Sequence, residues 1–288
     1  MNLQKHHGFA VALLLSAAAC TPESPPPTPS DTAASAATAT ASASAAAPSA
    51  SVTAAPTTSA ASTAPTERPG PEVIATSAGD LTITPIYHGT VMLQHGGKTI
   101  IVDPWSKATN VRLPKADLLL ITDIHEDHFD KAAIERVKKD STVIVAPAVV
   151  AKELPGAKVL KNGDRTTIEG FAIEAIPMYN KVRGPETGKL YHDKGRGNGY
   201  VVTFGDKRVY LSGDTECTDE MKALKNIDVA FVCMNLPYTM PPAEAAECIR
   251  AFKPKVVYPY HYKDSNLTDL TKAMEGETAV EIRLRNWY

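Results

Sequence analysis

Aromatic and sulfur-bearing side chains are scarce in this chain. Phe, Trp and Tyr supply 6% of its 288 residues, and there are four Cys. Three of those, Cys217, Cys233 and Cys248, fall after position 70. An odd number cannot all pair and no C-x-x-C spacing occurs, so a disulfide framework is not expected. Cys233 in "DVAFVC" and Cys248 in "AAECIRAF" read instead as small buried apolar residues. A charge surplus is missing too. Residues 71–288 hold 28 Lys plus Arg against 29 Asp plus Glu, a net charge of −1, which argues against a broad nucleic-acid surface. No internal repeat, no Ser-His-Asp arrangement and no phosphate-cradling glycine loop is found; "GRGNG" at 195–199 leads into a strand rather than a helix.

Near the N-terminus the apolar stretch 9–15 falls well short of the ~20 residues a membrane-spanning helix needs. It follows Lys5, His6 and His7 and precedes small residues at 17–19 and then Cys20, the order of an export signal. A Cys directly after small residues resembles a lipoprotein signal, which implies acylation of Cys20 and a membrane anchor in the cell envelope. Ordinary cleavage, with a secreted or periplasmic product, is the other expectation. From 21 to 70, 44 of 50 residues are Ala, Ser, Thr or Pro. Such a segment buries too little apolar surface to offset the entropy of ordering, and its prolines oppose helix. It reads as a tether spanning roughly 40 Å as a flexible coil. Residues 71–288 are enough for one domain with a sizeable core.

Within that domain, "LTITPIYHGTVMLQHGGKTIIVDPW" alternates as antiparallel strands broken at "HGGK". "ADLLLIT" and "STVIVAP" are continuous apolar runs suited to strands covered on both faces. Helices are expected in "KAAIERVKK" (capped by Asp130), "AVVAKEL", "DEMKALK", "PAEAAECIRAF" and "LTDLTKAME", with further strands in "TTIEGFAIEAIPMYN", "NGYVVTFGDKRVYLSGD", "DVAFVC", "KVVYPYH" and "AVEIRLR". Antiparallel strands followed by alternating strands and helices predict two mixed sheets between helices, a four-layer αββα sandwich.

The segment "ITDIHEDHFD" then gathers Asp123, His125, Glu126, Asp127 and His128 directly after an apolar strand. In extended backbone, Asp123 and His125 point to the same side. His192, Asp214, His261 and His88 each fall where a later or earlier strand should end. Side chains at the ends of neighbouring strands converge on one rim, where α/β sheets place their sites. Imidazole and carboxylate together suit Zn²⁺, Mn²⁺ or Fe. Glu126 reads as solvated. Tyr179, Asn180, Tyr238, Met240 and Lys263 are candidates for the pocket wall.

D-x-H-x-D-H after an apolar strand, then "SGDT", then "PYH", resembles the metallo-β-lactamase-fold hydrolase superfamily, whose signature is H-x-H-x-D-H. "YHGTVMLQHGGKTIIVDPW" is similar to the opening of its branch that includes ascorbate-6-phosphate lactonase and N-acyl phosphatidylethanolamine phospholipase D, together with bacterial metal-dependent hydrolases. The resemblance implies two divalent ions, Zn or Mn with Fe also open. His125 would serve the first, Asp127, His128 and His261 the second, and Asp214 would bridge them. Asp123 stands where the first signature histidine is usual, a change that makes the first site more anionic. Asn180 stands where another histidine is usual, so His192 is the replacement. Asp103 matches a position that braces the metal loops, and Cys217 follows the bridging Asp214 by three residues. The implied activity is hydrolysis of an ester-type bond in a lactone, phosphodiester or related small-molecule or lipid-like substrate, by a metal-bridged hydroxide with Asp127 and Asp214 as catalytic carboxylates. Two alternatives stand beside it: a non-catalytic, envelope-anchored metal-binding or sensing protein, and a di-iron oxidoreductase favoured by Asp123.

Overall fold

The computed structural model describes residues 70–109 and 111–288; the export signal, Cys20 and the tether as far as residue 69 lie outside the described residues. Seven strands form the first sheet in sequential order: β1 (Glu72–Thr76), β2 (Gly79–Tyr87), β3 (Thr90–His95), β4 (Lys98–Val102), β5 (Leu118–Leu120), β6 (Val143–Ala146) and β7 (Lys158–Val159). Helices α1 (Lys131–Val137) and α2 (Ala148–Glu153) connect its later strands. The second sheet runs β8 (Arg165–Ile168), β9 (Phe171–Met178), β10 (Gly197–Phe204), β11 (Lys207–Leu211), β12 (Val229–Cys233), β13 (Val256–Tyr260) and β14 (Glu281–Ile282). Its helices are α3 (Asp219–Lys222), α4 (Pro242–Phe252) and α5 (Leu267–Ala273).

The two sheets share one plan. In each, the first four strands pair antiparallel and the last three add in parallel. This duplication of topology leaves no repeat legible in the residues. The four-layer sandwich is as expected, with two departures in extent. Strand β1 precedes the first expected strand, and "AVEIRLR" pairs only over Glu281–Ile282.

Local chemistry accounts for the layers. The Asp130 side chain accepts from Ala133 N and caps α1, whose Ala133, Ile134 and Val137 face inward. Ile134 and Val137 pack with Ile101, Leu119 and Ile121 from the first sheet and the segment after β5, and with Val150 of α2. Leu81, Ile83, Leu93 and Ile100 meet Tyr200, Val202, Phe231 and Tyr258 in the main core. Pro242 opens α4, which buries Ala245, Cys248, Ile249 and Phe252. Buried Trp287 seats the chain's end against Phe231 and Tyr260, and its carbonyl accepts from His88 N at 3.2 Å.

One expectation is corrected here. Cys217 and Cys248 form a disulfide with Cα atoms 5.5 Å apart, across a sequence separation of 31. Among the described residues Cys233 is the unpaired thiol, buried in β12, and burial pushes its pKa up to about 12. An odd count in the sequence cannot tell which cysteine is left over, and the partners meet only because α4 packs beside the segment leading into α3. The bridge closes a loop of about thirty residues, so its loss is expected to cost about 2–4 kcal/mol of stability. Denaturant unfolding of the double variant C217S/C248S beside the parent chain checks this; coincident midpoints would mean that the bridge does not stabilise the domain.

Candidate metal centre

At the ends of β4 and β5 a buried carboxylate fixes the geometry. Asp103, with no exposed surface, accepts from Thr122 N at 2.8 Å, Thr122 Oγ1 at 2.6 Å and His128 Nδ1 at 2.8 Å. Receiving the Nδ1 proton leaves His128 Nε2 facing the centre. After Thr122 the chain turns tightly, with His128 N and Phe129 N both donating to His125 O. Gly213, at φ +60°, lies so near Met178 that a Cβ would come within 2.4 Å of its Sδ; it admits the turn that presents Asp214.

All seven candidate ligands meet on this rim. Asp123, His125 and His192 form one set of donor atoms within 4.8 Å of one another, and His128, Asp214 and His261 form a second. Asp127 Oδ2 joins the second set, 3.2 Å from His261 Nε2. Asp214 lies between the sets. Its Oδ2 is 3.4 Å from His128 Nε2 and 3.5 Å from His192 Nε2, and its Oδ1 is 3.4 Å from His261 Nε2.

The donor set fits a cation. His128 Nε2, His192 Nε2 and Asp214 Oδ1 are buried without a hydrogen-bond partner, although carboxylate and imidazole could have satisfied each other. Burial holds the His192 pKa down to about 4 against the pull of Asp214 and Asp123, so it is a neutral imidazole at neutral pH. Burial works the same way on His128, but the carboxylates of Asp214, Asp127 and Asp103 override it and raise its pKa well above the usual value. Asp127 and Asp214 also resist burial and stay well below the ordinary carboxylate range, drawn down by the histidines around them. The cluster requires positive charge between its oxygens, either as a proton on His128 or as a metal ion.

The remaining candidates divide clearly. Asn180 Oδ1 accepts from His192 Nδ1 at 2.8 Å, while its amide donates to the carbonyls of Arg183 and Tyr238. It braces the replacement histidine as Asp103 braces His128. His88 pairs through Nε2 with Asp127 Oδ2 at 3.0 Å and through Nδ1 with Tyr288 Oη at 2.6 Å; burial holds its pKa down to about 4. Tyr238 and Lys263 line a cavity of about 390 Å³ over the cluster, with Trp105, Lys107, Tyr191 and Asn235. Met240 instead lies in the core, and the Tyr179 hydroxyl donates to Glu220. Glu126 is exposed at the cavity mouth.

The expectation that Asp123 makes the first set more anionic is corrected. Arg196 forks onto it, Nε to Oδ1 at 3.0 Å and Nη2 to Oδ2 at 2.7 Å. Burial would raise the Asp123 pKa, but the His125 hydrogen bond and the Arg196 charge hold it well below the usual range. Arg196 sits in "GRGNG", a segment whose only reading in sequence was as a failed nucleotide loop. Trp105, Lys107 and Tyr191 were equally silent, since nothing in the residues around them points to a cavity.

Fold and cluster together define a metal-dependent hydrolase of the metallo-β-lactamase fold. The model of the Beta-lactamase superfamily domain matches residues 82–261, and the chain belongs to that family. A UPF0173 metal-dependent hydrolase from Thermococcus onnurineus is 32% identical over 181 residues, covering 58% of this chain and 78% of that protein. A solved protein from Parabacteroides distasonis, designated a metal-dependent hydrolase, is 44% identical with a TM-score of 0.71, covering 75% of this chain and 98% of its own. CmlA, a diiron β-hydroxylase from Streptomyces venezuelae, has a TM-score of 0.53 at 16% identity, covering 70% of this chain and 52% of its own, a likeness of fold alone.

Because Asp103 fixes which His128 nitrogen faces the centre, Asp103→Asn is expected to weaken metal binding about 10–100-fold while the chain still folds. Competition with a chromophoric chelator reads the affinity and circular dichroism reads the fold; unaltered affinity in a folded variant would remove Asp103 from this role.

Proposed function

We propose that the domain hydrolyses an ester-type bond, in a lactone, a phosphodiester or a related compound, using two divalent ions held by the seven convergent ligands. The single observation behind this reading is the position of Asp214, one carboxylate within 3.5 Å of imidazoles from both donor sets. His128, His261, Asp127 and Asp214 would hold one ion, and Asp123, His125, His192 and Asp214 the other. Zn²⁺ or Mn²⁺ suits this mixture of nitrogen and oxygen, and Fe remains compatible. When bound, such a pair of ions supplies a water ionised near neutral pH and an electrophile for the scissile group.

The chain's own residues supply the rest. His88 and His261 both face Asp127 Oδ2, at 3.0 and 3.2 Å, and hold that carboxylate at the cavity floor. There Asp127 is placed to accept the proton of the attacking water and pass it to the leaving group. Lys107 and Lys263 bring positive charge to the cavity, while Trp105, Tyr191 and Tyr238 offer aromatic faces. That lining suits a small or lipid-like molecule carrying an anionic group beside an apolar one.

We also propose that the domain works outside the cytoplasm, anchored through Cys20 or released. The export-type segment before Cys20 and the buried Cys217–Cys248 bridge both support this, since disulfides persist in oxidising compartments. The di-iron alternative loses its main support, because Arg196 neutralises the extra carboxylate on which it rested.

The activity is tested with the full chain, loaded with Zn²⁺ or Mn²⁺, on bis-p-nitrophenyl phosphate, a lactone panel and nitrocefin. Turnover of an ester or phosphodiester is expected, reduced at least about a hundredfold in Asp214→Ala. Loaded protein without turnover across the panel would favour metal sensing, and oxygen consumption by an iron-loaded chain would favour redox chemistry.

A further inference from the structure

Arg196 reaches Asp123 because the backbone around it leaves little choice. Arg196 N donates to Asp193 O at 3.1 Å, and Gly195 at φ +86° reverses the chain. Asn198 N then donates to Thr122 O at 2.9 Å, which docks the start of β10 beside the residue preceding Asp123. A Cβ on Gly197 would come within 2.9 Å of Thr122 O and 2.1 Å of the Met178 methyl, so only glycine permits this approach. Asn198 is itself pinned, donating to Leu160 O and accepting from Asn162 Nδ2. The guanidinium is thus delivered onto Asp123 by a docked strand, not by a free surface loop.

Its fork engages both oxygens of a carboxylate that has no exposed surface. Nη2 also lies 3.4 Å from His125 Nε2. Any ion taken by Asp123, His125 and His192 therefore shares its carboxylate with a fixed positive charge. The second set has no such competitor. Among the described residues, the ion-pair partners of Asp127 and Asp214 are all histidines.

We propose that Arg196 is a built-in cation of the first donor set and makes it the weaker, later-filled of two unequal metal sites. The set formed by Asp127, His128, Asp214 and His261 holds its ion tightly, and the set at Asp123 fills only as metal becomes abundant. Asp123 and Arg196 together contribute no net charge, whereas Asp127 contributes a full negative charge to its own set. This inference rests on the two-ion reading above.

The test uses the full chain, stripped of metal and titrated with Zn²⁺ or Mn²⁺ alone against a competing chelator, with metal per chain counted by elemental analysis. Two affinities separated by at least about tenfold are expected in the parent chain. Arg196→Met is expected to tighten the weaker by at least about tenfold, because a unit charge beside a divalent ion costs more than that even at an effective dielectric constant of ~20. Arg196→Lys keeps the charge and keeps the gap, and His261→Ala removes the tight ion. Equal affinities in the parent, or a second ion weakened or unaltered in Arg196→Met, would overturn the proposal. If Arg196→Met fails to fold with Asp123 left unpaired, D123H and D123H/R196M carry the same comparison, and deleting Arg196 must again tighten the second ion. Should no variant take more than one ion, the two-ion reading falls with the proposal. Turnover of the singly loaded chain then decides separately whether it is a hydrolase.

Discussion

The centre depends on one kind of hydrogen bond, an imidazole Nδ1–H given to a buried oxygen. Asp103 receives it from His128 and Asn180 receives it from His192. Each bond leaves an Nε2 turned towards Asp214, whose Oδ1 is buried without a hydrogen-bond partner. A buried polar atom left unsatisfied costs about 1–3 kcal/mol, and His128 Nε2 and His192 Nε2 stand 3.4 and 3.5 Å from Asp214 Oδ2 without a hydrogen bond. A fold does not place several such atoms together without a return. A cation between them gives each unsatisfied atom a partner, and that return explains why the acceptors behind the histidines are buried so completely.

Holding these atoms in place also strains the backbone. His88, Asp103 and His261 all adopt positive φ, at 54°, 44° and 45°. Each follows directly on the end of a strand, β2, β4 or β13, where side chains of neighbouring strands can converge. Left-handed backbone at non-glycine residues costs of order 1–3 kcal/mol and persists only when the surroundings over-determine it. Here they do: His261 N donates to His88 O and His88 N to Trp287 O, so the strained residues are bonded to one another and to the chain's end. The duplicated topology supplies the rest, since each sheet contributes strand ends to the same rim. The site thus lies between two similar halves, and neither half carries the whole second donor set: His128 and Asp127 come from one, Asp214 and His261 from the other.

Much of this was legible in the residues because it is local. Apolar runs such as "ADLLLIT" and "STVIVAP", the Asp130 cap and the strands of "NGYVVTFGDKRVYLSGD" are patterns within a few positions, and each forms as read. Six of the seven candidate ligands were legible for a related reason: each sits just beyond a strand or in the turn after one, so fold class and position together imply convergence. His192 departs from that rule, because it lies fourteen residues past the end of β9, in the loop that leads to β10, and not at a strand end. What stayed hidden depends on distance along the chain. Asp123 and Arg196 are 73 residues apart, Cys217 and Cys248 are 31 apart, and Tyr288 reaches His88 across 200. Asn180 was visible as a histidine lost, but not as an acceptor for the histidine gained twelve residues later.

That last case and the case of Asp123 follow the same physical rule, which concerns charge and acceptor count more than residue identity. Exchanging a neutral imidazole for a carboxylate adds a negative charge to a cluster that already holds the buried Asp103 and Asp214 and the half-buried Asp127. Uncompensated, such a charge would be costly to bury and would repel an anionic substrate from the cavity floor. Arg196 cancels it through the strongest geometry available to a carboxylate, a two-point fork. An Asp–Arg pair therefore stands in electrostatically for a single histidine, with one difference that the histidine lacks: the compensating charge is itself a cation and competes for the oxygens it neutralises. A motif read one position at a time registers only the first half of that exchange, the added carboxylate. The second half lies in a turn docked against it by Gly197 and Asn198, and it is this half that determines how the site treats an incoming ion.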